Sequence, residues 1–165
     1  MNPFLRSGVI AAVIALVLDQ AAKLWLLNVF ELGPRGTVAV TPFFDLVLAW
    51  NTGISYGWFQ DSGPVGQAIL LAVKATAVIV LAVWMANSGT RLAVIGLGFI
   101  IGGAIGNAID RLAYGAVVDF ALFHVQIGGK TYNWYVFNLA DVAIVAGVAT
   151  LLYDSFVTPG AAKRP

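Results

Sequence analysis

Four long apolar runs govern what this chain can fold into. They lie at about 8–27, 65–85, 92–109 and 136–157, and a helix needs about 20 mostly apolar residues to cross the hydrocarbon layer of a bilayer. Of the 165 residues, 60% are hydrophobic and 10% charged, against about 25% charged in a soluble domain. That balance excludes a water-soluble globular domain and a disordered chain. A net charge of +1 offers no basic face for nucleic acid. Without cysteine there is no disulfide framework, zinc–thiolate site, thiol redox pair or cysteine nucleophile. The lone histidine, His124, cannot build a multi-histidine metal site. The expectation is a single integral membrane domain over 1–165, mainly α, with four transmembrane helices and a small β platform on the outer face.

The first run follows Arg6, and Gly8 to Leu18 has the character of a signal-peptide core. It continues helically past Asp19, and no small-residue cleavage site leads into a soluble domain. It therefore reads as a membrane span. With four sequential spans, Arg6, Arg91, Lys163 and Arg164 fall on one side, opposed by Asp154. The positive-inside rule makes that side cytoplasmic, with both termini inside.

The other face receives two excursions, about 28–64 and 111–135. In the first, a Gly33-Pro34 turn precedes alternating Thr37 to Thr41, then Phe43 to Trp50, ending at Asn51-Thr52-Gly53. This reads as two short strands. In the second, Val117 to Ile127 and Thr131 to Phe137 flank Gly128-Gly129, a hairpin signal. Trp50, Trp58, Tyr132, Trp134 and Tyr135 either form an interfacial aromatic belt or pack the small sheet. Gly98, Gly102 and Gly106 recur every four residues. Such spacing lets helices approach closely in lipid, and packing within the bundle is the preferred account over a homodimer interface.

Ionisable residues in a span are costly, which makes each a functional hypothesis. Here they gather toward one face. Asp19 and Lys23 stand one turn apart; Asn107, Asp110 and Arg111 close the third run; Asp119 follows; Asn138 and Asp141 open the fourth. A two-residue turn at Gly128-Gly129 gives paired residue numbers summing to 257, placing Asp119 opposite Asn138, which is one helical turn from Asp141. Basic neighbours account for Asp19 and Asp110, through Lys23 and Arg111. Asp119 and Asp141 are left without one. Two close carboxylates cannot both ionise, so the pair shares a proton. The ionised member can activate water while the other protonates a carbonyl oxygen or leaving amine. That is aspartic-protease chemistry, which needs no metal or cofactor. His124 reads as a packed strand residue, Asn51 as a turn residue, and Asp45 and Asp61 as solvated loop residues. Lys74, near the middle of the second run, has no assigned role.

These residues resemble bacterial prolipoprotein signal peptidase, also called signal peptidase II. The blocks are Leu18-Asp19-Gln20-Ala21-Ala22-Lys23, Asn51-Thr52-Gly53, Gly106-Asn107-Ala108-Ile109-Asp110-Arg111, Val117-Val118-Asp119-Phe120 and Phe137-Asn138-Leu139-Ala140-Asp141. Five blocks in order over most of the chain make the resemblance specific. It implies an aspartic endopeptidase of the bacterial cytoplasmic membrane, with its active site near the outer face. Such enzymes cleave diacylglyceryl-modified prolipoproteins just before the lipidated cysteine. By this resemblance Asp119 and Asp141 form the catalytic dyad. Asp19, Lys23, Asn51, Asn107, Asp110, Arg111 and Asn138 orient substrate or support the site. The implied partners are the precursor, membrane lipids and globomycin-type inhibitors, with a monomer expected. Gly53-Ile54-Ser55-Tyr56-Gly57 departs from the relatives' Gly-Ala-Ala-Phe pattern at a candidate wall of the substrate groove, and Asn51 to Trp58 is a candidate lid. A small proton-coupled transporter would also use intramembrane carboxylates, but it predicts a midplane carboxylate and often repeated halves. A structural subunit binding a partner helix through the glycine stripe would leave the two aspartates without purpose.

Overall fold

The structure is a computed structural model that describes residues 2–52 and 63–158. It is mainly helical, with a small antiparallel sheet. Helix α1 spans Leu5–Asn28 and is followed by the short α2, Leu32–Arg35. Strands β1 (Val38–Thr41) and β2 (Phe44–Asn51) precede α3 (Gly63–Asn87) and α4 (Arg91–Tyr114). Strands β3 (Val117–Ile127) and β4 (Lys130–Asn133) lead into α5 (Leu139–Val157). Among the described residues, α1, α4 and α5 are long and apolar enough to cross a membrane. The side chains of 63–71 and Lys74 lie outside the described set, as do 53–62, including Asp61 and Trp58, and the tail from 159.

Each spanning helix sorts its residues by size and polarity. On α1 the buried stripe is Gly8, Ala11, Ala15, Asp19, Lys23 and Leu26. The opposite face exposes Val9, Ile10, Val13, Ile14, Val17 and Leu18. Large apolar groups facing outward and small groups facing inward are the pattern of a helix solvated by lipid. Helix α4 is the centre: half of its apolar window is buried, against 28% for α1 and 17% for α5. It reaches this position by presenting glycine to both neighbours. A Cβ at Gly98 would strike the Gly8 carbonyl, and one at Gly102 the Ala12 carbonyl. On the other side, Gly96 lies against Gly147 and Gly103 against the Ala140 carbonyl. The glycine spacing thus serves packing within one chain. At the other end of the helix, Thr90 caps α4 by accepting from Ala93 N at 3.0 Å, and its hydroxyl donates to Asp154 of α5 at 2.8 Å.

The sheet order is β1-β2-β3-β4, all antiparallel. Both excursions therefore contain the expected strands, with local differences. Gly33-Pro34 lies within a single helical turn, Leu32–Arg35, rather than in a plain turn. Asp45 is not a loop residue: it lies on β2, with its carboxylate 3.3 Å from His124 Nε2 of the adjacent β3. Gly128 and Gly129 both take positive φ (58° and 76°), as a type I′ turn requires. The pairs His124↔Asn133 through Ile127↔Lys130 follow the sum of 257. The pairing then slips by one, to Ala121↔Phe137, and β4 stops at Asn133. Asp119 is thus not Asn138's ladder partner. The fourth run likewise becomes helical only at Leu139, because Asn138 is extended (φ −130°, ψ 180°) and caps α5. The third run extends past 109 to Tyr114, ending at Gly115 with φ 74°.

Candidate active site

Four elements deliver the polar residues to one place. The C-terminal half of α1 brings Asp19, Gln20 and Lys23, and the last turns of α4 bring Asn107, Asp110 and Arg111. The start of β3 supplies Asp119, the end of β2 supplies Asn51, and the first turn of α5 supplies Asn138 and Asp141. Asp19, Lys23, Asp110, Asp119 and Asn138 are each at most 4% exposed, a burial that charged groups tolerate only when paired.

The deepest layer is an ion cluster. Lys23 Nζ lies 2.7 Å from Asp19 Oδ2 and 2.6 Å from Asp110 Oδ2. It also donates to Asn107 Oδ1 at 3.1 Å, so the ammonium's three donors meet three acceptors. The expected Asp110–Arg111 pairing gives way to Asp110–Lys23. Neighbours in sequence on a helix point in different directions, whereas Lys23 reaches Asp110 across the α1–α4 contact. Arg111 instead donates from Nη1 to Asn107 O at 3.2 Å, within electrostatic reach of Asp119, Asp110 and Asp141.

Above this cluster, amides join the two remaining carboxylates. Asn138 donates from Nδ2 to Asp119 Oδ1 at 2.6 Å and to Asn107 Oδ1 at 3.0 Å. Asn107 Nδ2 in turn donates to Asp141 Oδ1 at 3.0 Å. The second oxygen of Asp119 accepts from Asn51 Nδ2 at 3.0 Å, so Asn51 is the last residue of a strand, not a turn filler. Asn138 and Asp141 also form a capping box at the start of α5. The Asn138 side chain accepts from Asp141 N (3.0 Å), and Asp141 Oδ2 accepts from Asn138 N (3.2 Å). A helix-start signal and a site signal coincide in the same two residues. Asp141 is half-buried and so the more accessible carboxylate.

The electrostatics differ from those of a surface carboxylate. Burial pushes the Asp119 carboxyl up from 3.8 to about 6; the Asp141 charge adds to this, while the Asn51 and Asn138 amides pull the other way. Such a carboxyl exchanges its proton close to neutral pH, as acid–base work requires. Among the described residues no group of three His, Asp or Glu side chains is arranged as metal ligands.

The sequence reading assigned no role to Gln20. Its Nε2 contacts Asp110 Oδ1 at 2.9 Å, Gly106 O at 3.1 Å and Asp19 Oδ2 at 3.2 Å. Its position beside Asp19, at the edge of the buried stripe, was the available signal. His124 and Asp45 pair elsewhere on the sheet.

Residues 11–157 match the family model described as signal peptidase (SPase) II. The chain is 76% identical, over the full length of both, to the lipoprotein signal peptidase of Nitrobacter hamburgensis. It is 49% identical to that of Beijerinckia indica, over 96% of this chain and 92% of the relative. A bacterial membrane enzyme solved by the in meso method at 2.3 Å resolution shares the fold, with TM-score 0.73 and 24% identity over 93% of this chain and 92% of the other. By family match and full-length identity, the chain belongs to the signal peptidase II family.

Proposed function

We propose that this chain is a membrane-embedded aspartic endopeptidase that removes signal peptides from diacylglyceryl-modified prolipoproteins, cleaving before the lipidated cysteine. The observation that carries the reading is the amide-bridged pair Asp119 and Asp141, one deeply buried and one half-buried. Full-length likeness to lipoprotein signal peptidases supplies the substrate class.

In this reading the pair holds a water and shares one proton. One carboxylate takes a proton from the water as its oxygen bonds to the scissile carbonyl carbon. The other gives its proton to the carbonyl oxygen, forming a gem-diol. As the gem-diol collapses, one of its hydroxyls returns a proton to the ionised carboxylate and the C=O re-forms; the C–N bond breaks, and the departing cysteine nitrogen takes the proton held by the other carboxyl, so the dyad again holds one proton. Asn107 and Asn138 hold the carboxylates' orientation, and Arg111 offsets the negative charge around the dyad.

The membrane arrangement is part of the same proposal. Four helices, α1, α3, α4 and α5, form the bundle, both termini face the cytoplasm, and the sheet with the dyad lies toward the outer surface. Trp50, Tyr132, Trp134 and Tyr135 are all at least 47% exposed, which favours the aromatic belt over packing within the sheet. The diacylglyceryl tails remain in lipid while the peptide reaches the dyad. The candidate lid at Asn51 to Trp58 falls largely outside the described residues.

The test is cleavage of a diacylglyceryl-modified precursor by purified Asp119→Asn and Asp141→Asn proteins. Each is expected to lose at least about a hundredfold in kcat while remaining inserted and folded. Wild-type cleavage by either variant would sink the dyad.

A further inference from the structure

The buried ion cluster touches the backbone at two places that share one property. Asp19 Oδ1 accepts from Ala140 N at 2.9 Å, and Ala140 immediately precedes Asp141. Asp110 Oδ2 accepts from Val118 N at 3.1 Å, and Val118 immediately precedes Asp119. Each buried carboxylate therefore grips the residue before one member of the dyad. Lys23 ties the two grips together, but through Oδ2 of each carboxylate only. An ammonium is a rotatable point donor and leaves the plane of a carboxylate free to turn. On Asp110 the other oxygen is held by Gln20, whose planar amide is also anchored on the Gly106 carbonyl of α4 and reaches Asp19.

The geometry points to Gln20 as a positioning residue. By fixing the carboxylate plane of Asp110 against Asp19, it sets the spacing between the Val118–Asp119 and Ala140–Asp141 backbones, and so between the two reacting carboxyls. This rests on the dyad reading above. Gln20 acts through Asp19 and Asp110 and need not touch substrate. Both carboxylates keep Lys23 and a backbone N–H when the amide is removed, so the fold survives while the spacing loosens.

The experiment uses full-length protein in lipid bilayers with a diacylglyceryl-modified precursor. Gln20→Leu is expected to lower kcat by about 10- to 100-fold, as small misplacements of reacting groups do. KM should stay within about twofold of wild type, since ground-state binding is not the interaction removed. Gln20→Glu introduces a third carboxyl beside Asp19 and Asp110, with Lys23 the facing cation of that cluster and Arg111 next to it on α4. Its kcat relative to wild type should be lowest at alkaline pH and recover on acidification, when the new carboxyl regains a donor. Wild-type kcat in Gln20→Leu, or a raised KM with unchanged kcat, overturns the assignment. Should Gln20→Leu not accumulate, a pH-independent kcat ratio in Gln20→Glu overturns it equally. Asp119→Asn and Asp141→Asn run alongside: their full activity would defeat the dyad itself, whereas full activity of Gln20→Leu beside inactive dyad variants defeats only the positioning role.

Discussion

At Asp119 burial outweighs the amides that favour the charged carboxylate. Folding raises its pKa from 3.8 to about 6, chiefly by burial, so the folded chain holds this proton more tightly than the unfolded chain. The stability that goes with the bound proton is complete below pH 3.8 and lost as pH rises through about 6. Asp119→Asn, which cannot ionise, should therefore gain in Tm relative to wild type as pH is raised from 4 to about 7, measured by thermal unfolding in detergent. If activity needs the shared proton, kcat/KM should fall with a midpoint near 6. The Asn51 amide favours the charged carboxylate, so Asn51→Ala should move that midpoint upward, read from the pH–rate profile. Asn138 has two duties, capping α5 and donating to Asp119. Asn138→Ala is expected to cost about 1–3 kcal/mol of stability from cap and buried bond together, and to lower kcat as well. At this scale most site residues were legible, because a polar group in an apolar run is conspicuous. Their partners were not. Lys23 answers both Asp19 and Asp110, and Asp45 faces His124, because contacts between elements depend on packing that spacing along one helix does not encode.

Among the elements, α4 depends most on small residues. A side chain at Gly102 would collide with the Ala12 carbonyl, whereas a Cβ at Gly89 meets nothing within 4 Å. Gly102→Val should force α1 away from α4, destabilising the fold by at least about 1–3 kcal/mol, while Gly89→Ala leaves the Tm near wild type. Unfolding in detergent compares the two. The same separation would stretch Lys23 from Asp110, so activity should fall with stability in Gly102→Val. The helices and strands could be read from the chain because hydropathy, aromatic and β-branched runs and Gly-Gly each have a local cause. Their ends were harder to read. Asn138 looks like part of an apolar run, yet its side chain stops the extended backbone and begins α5. The hairpin register held near the turn, where geometry fixes it, and had slipped by one at Phe137, beyond the end of β4 at Asn133.

For the whole molecule, the proposed topology has a simple probe, since the chain contains no cysteine. A single cysteine at Thr131, in the β3–β4 hairpin, should react with an impermeant thiol reagent in intact spheroplasts. One at Gly89, between α3 and α4, should react only after the membrane is opened; the reverse pattern would invert the proposed topology. The apolar spans make a membrane protein plain from the sequence, but which partner each buried charge chooses emerges only once all elements are assembled. That choice bears on the order in which the chain can be built. Asp19 and Lys23 belong to the first helix made, while Asp110, Asn107 and the Ala140 amide that complete their shell arrive some 84 to 121 positions later. Until α4 is synthesised, α1 holds an acid and a base with little besides each other, in surroundings that penalise both. The nascent first helix is therefore a poor resident of lipid alone, and its lasting place in the membrane depends on the arrival of α4.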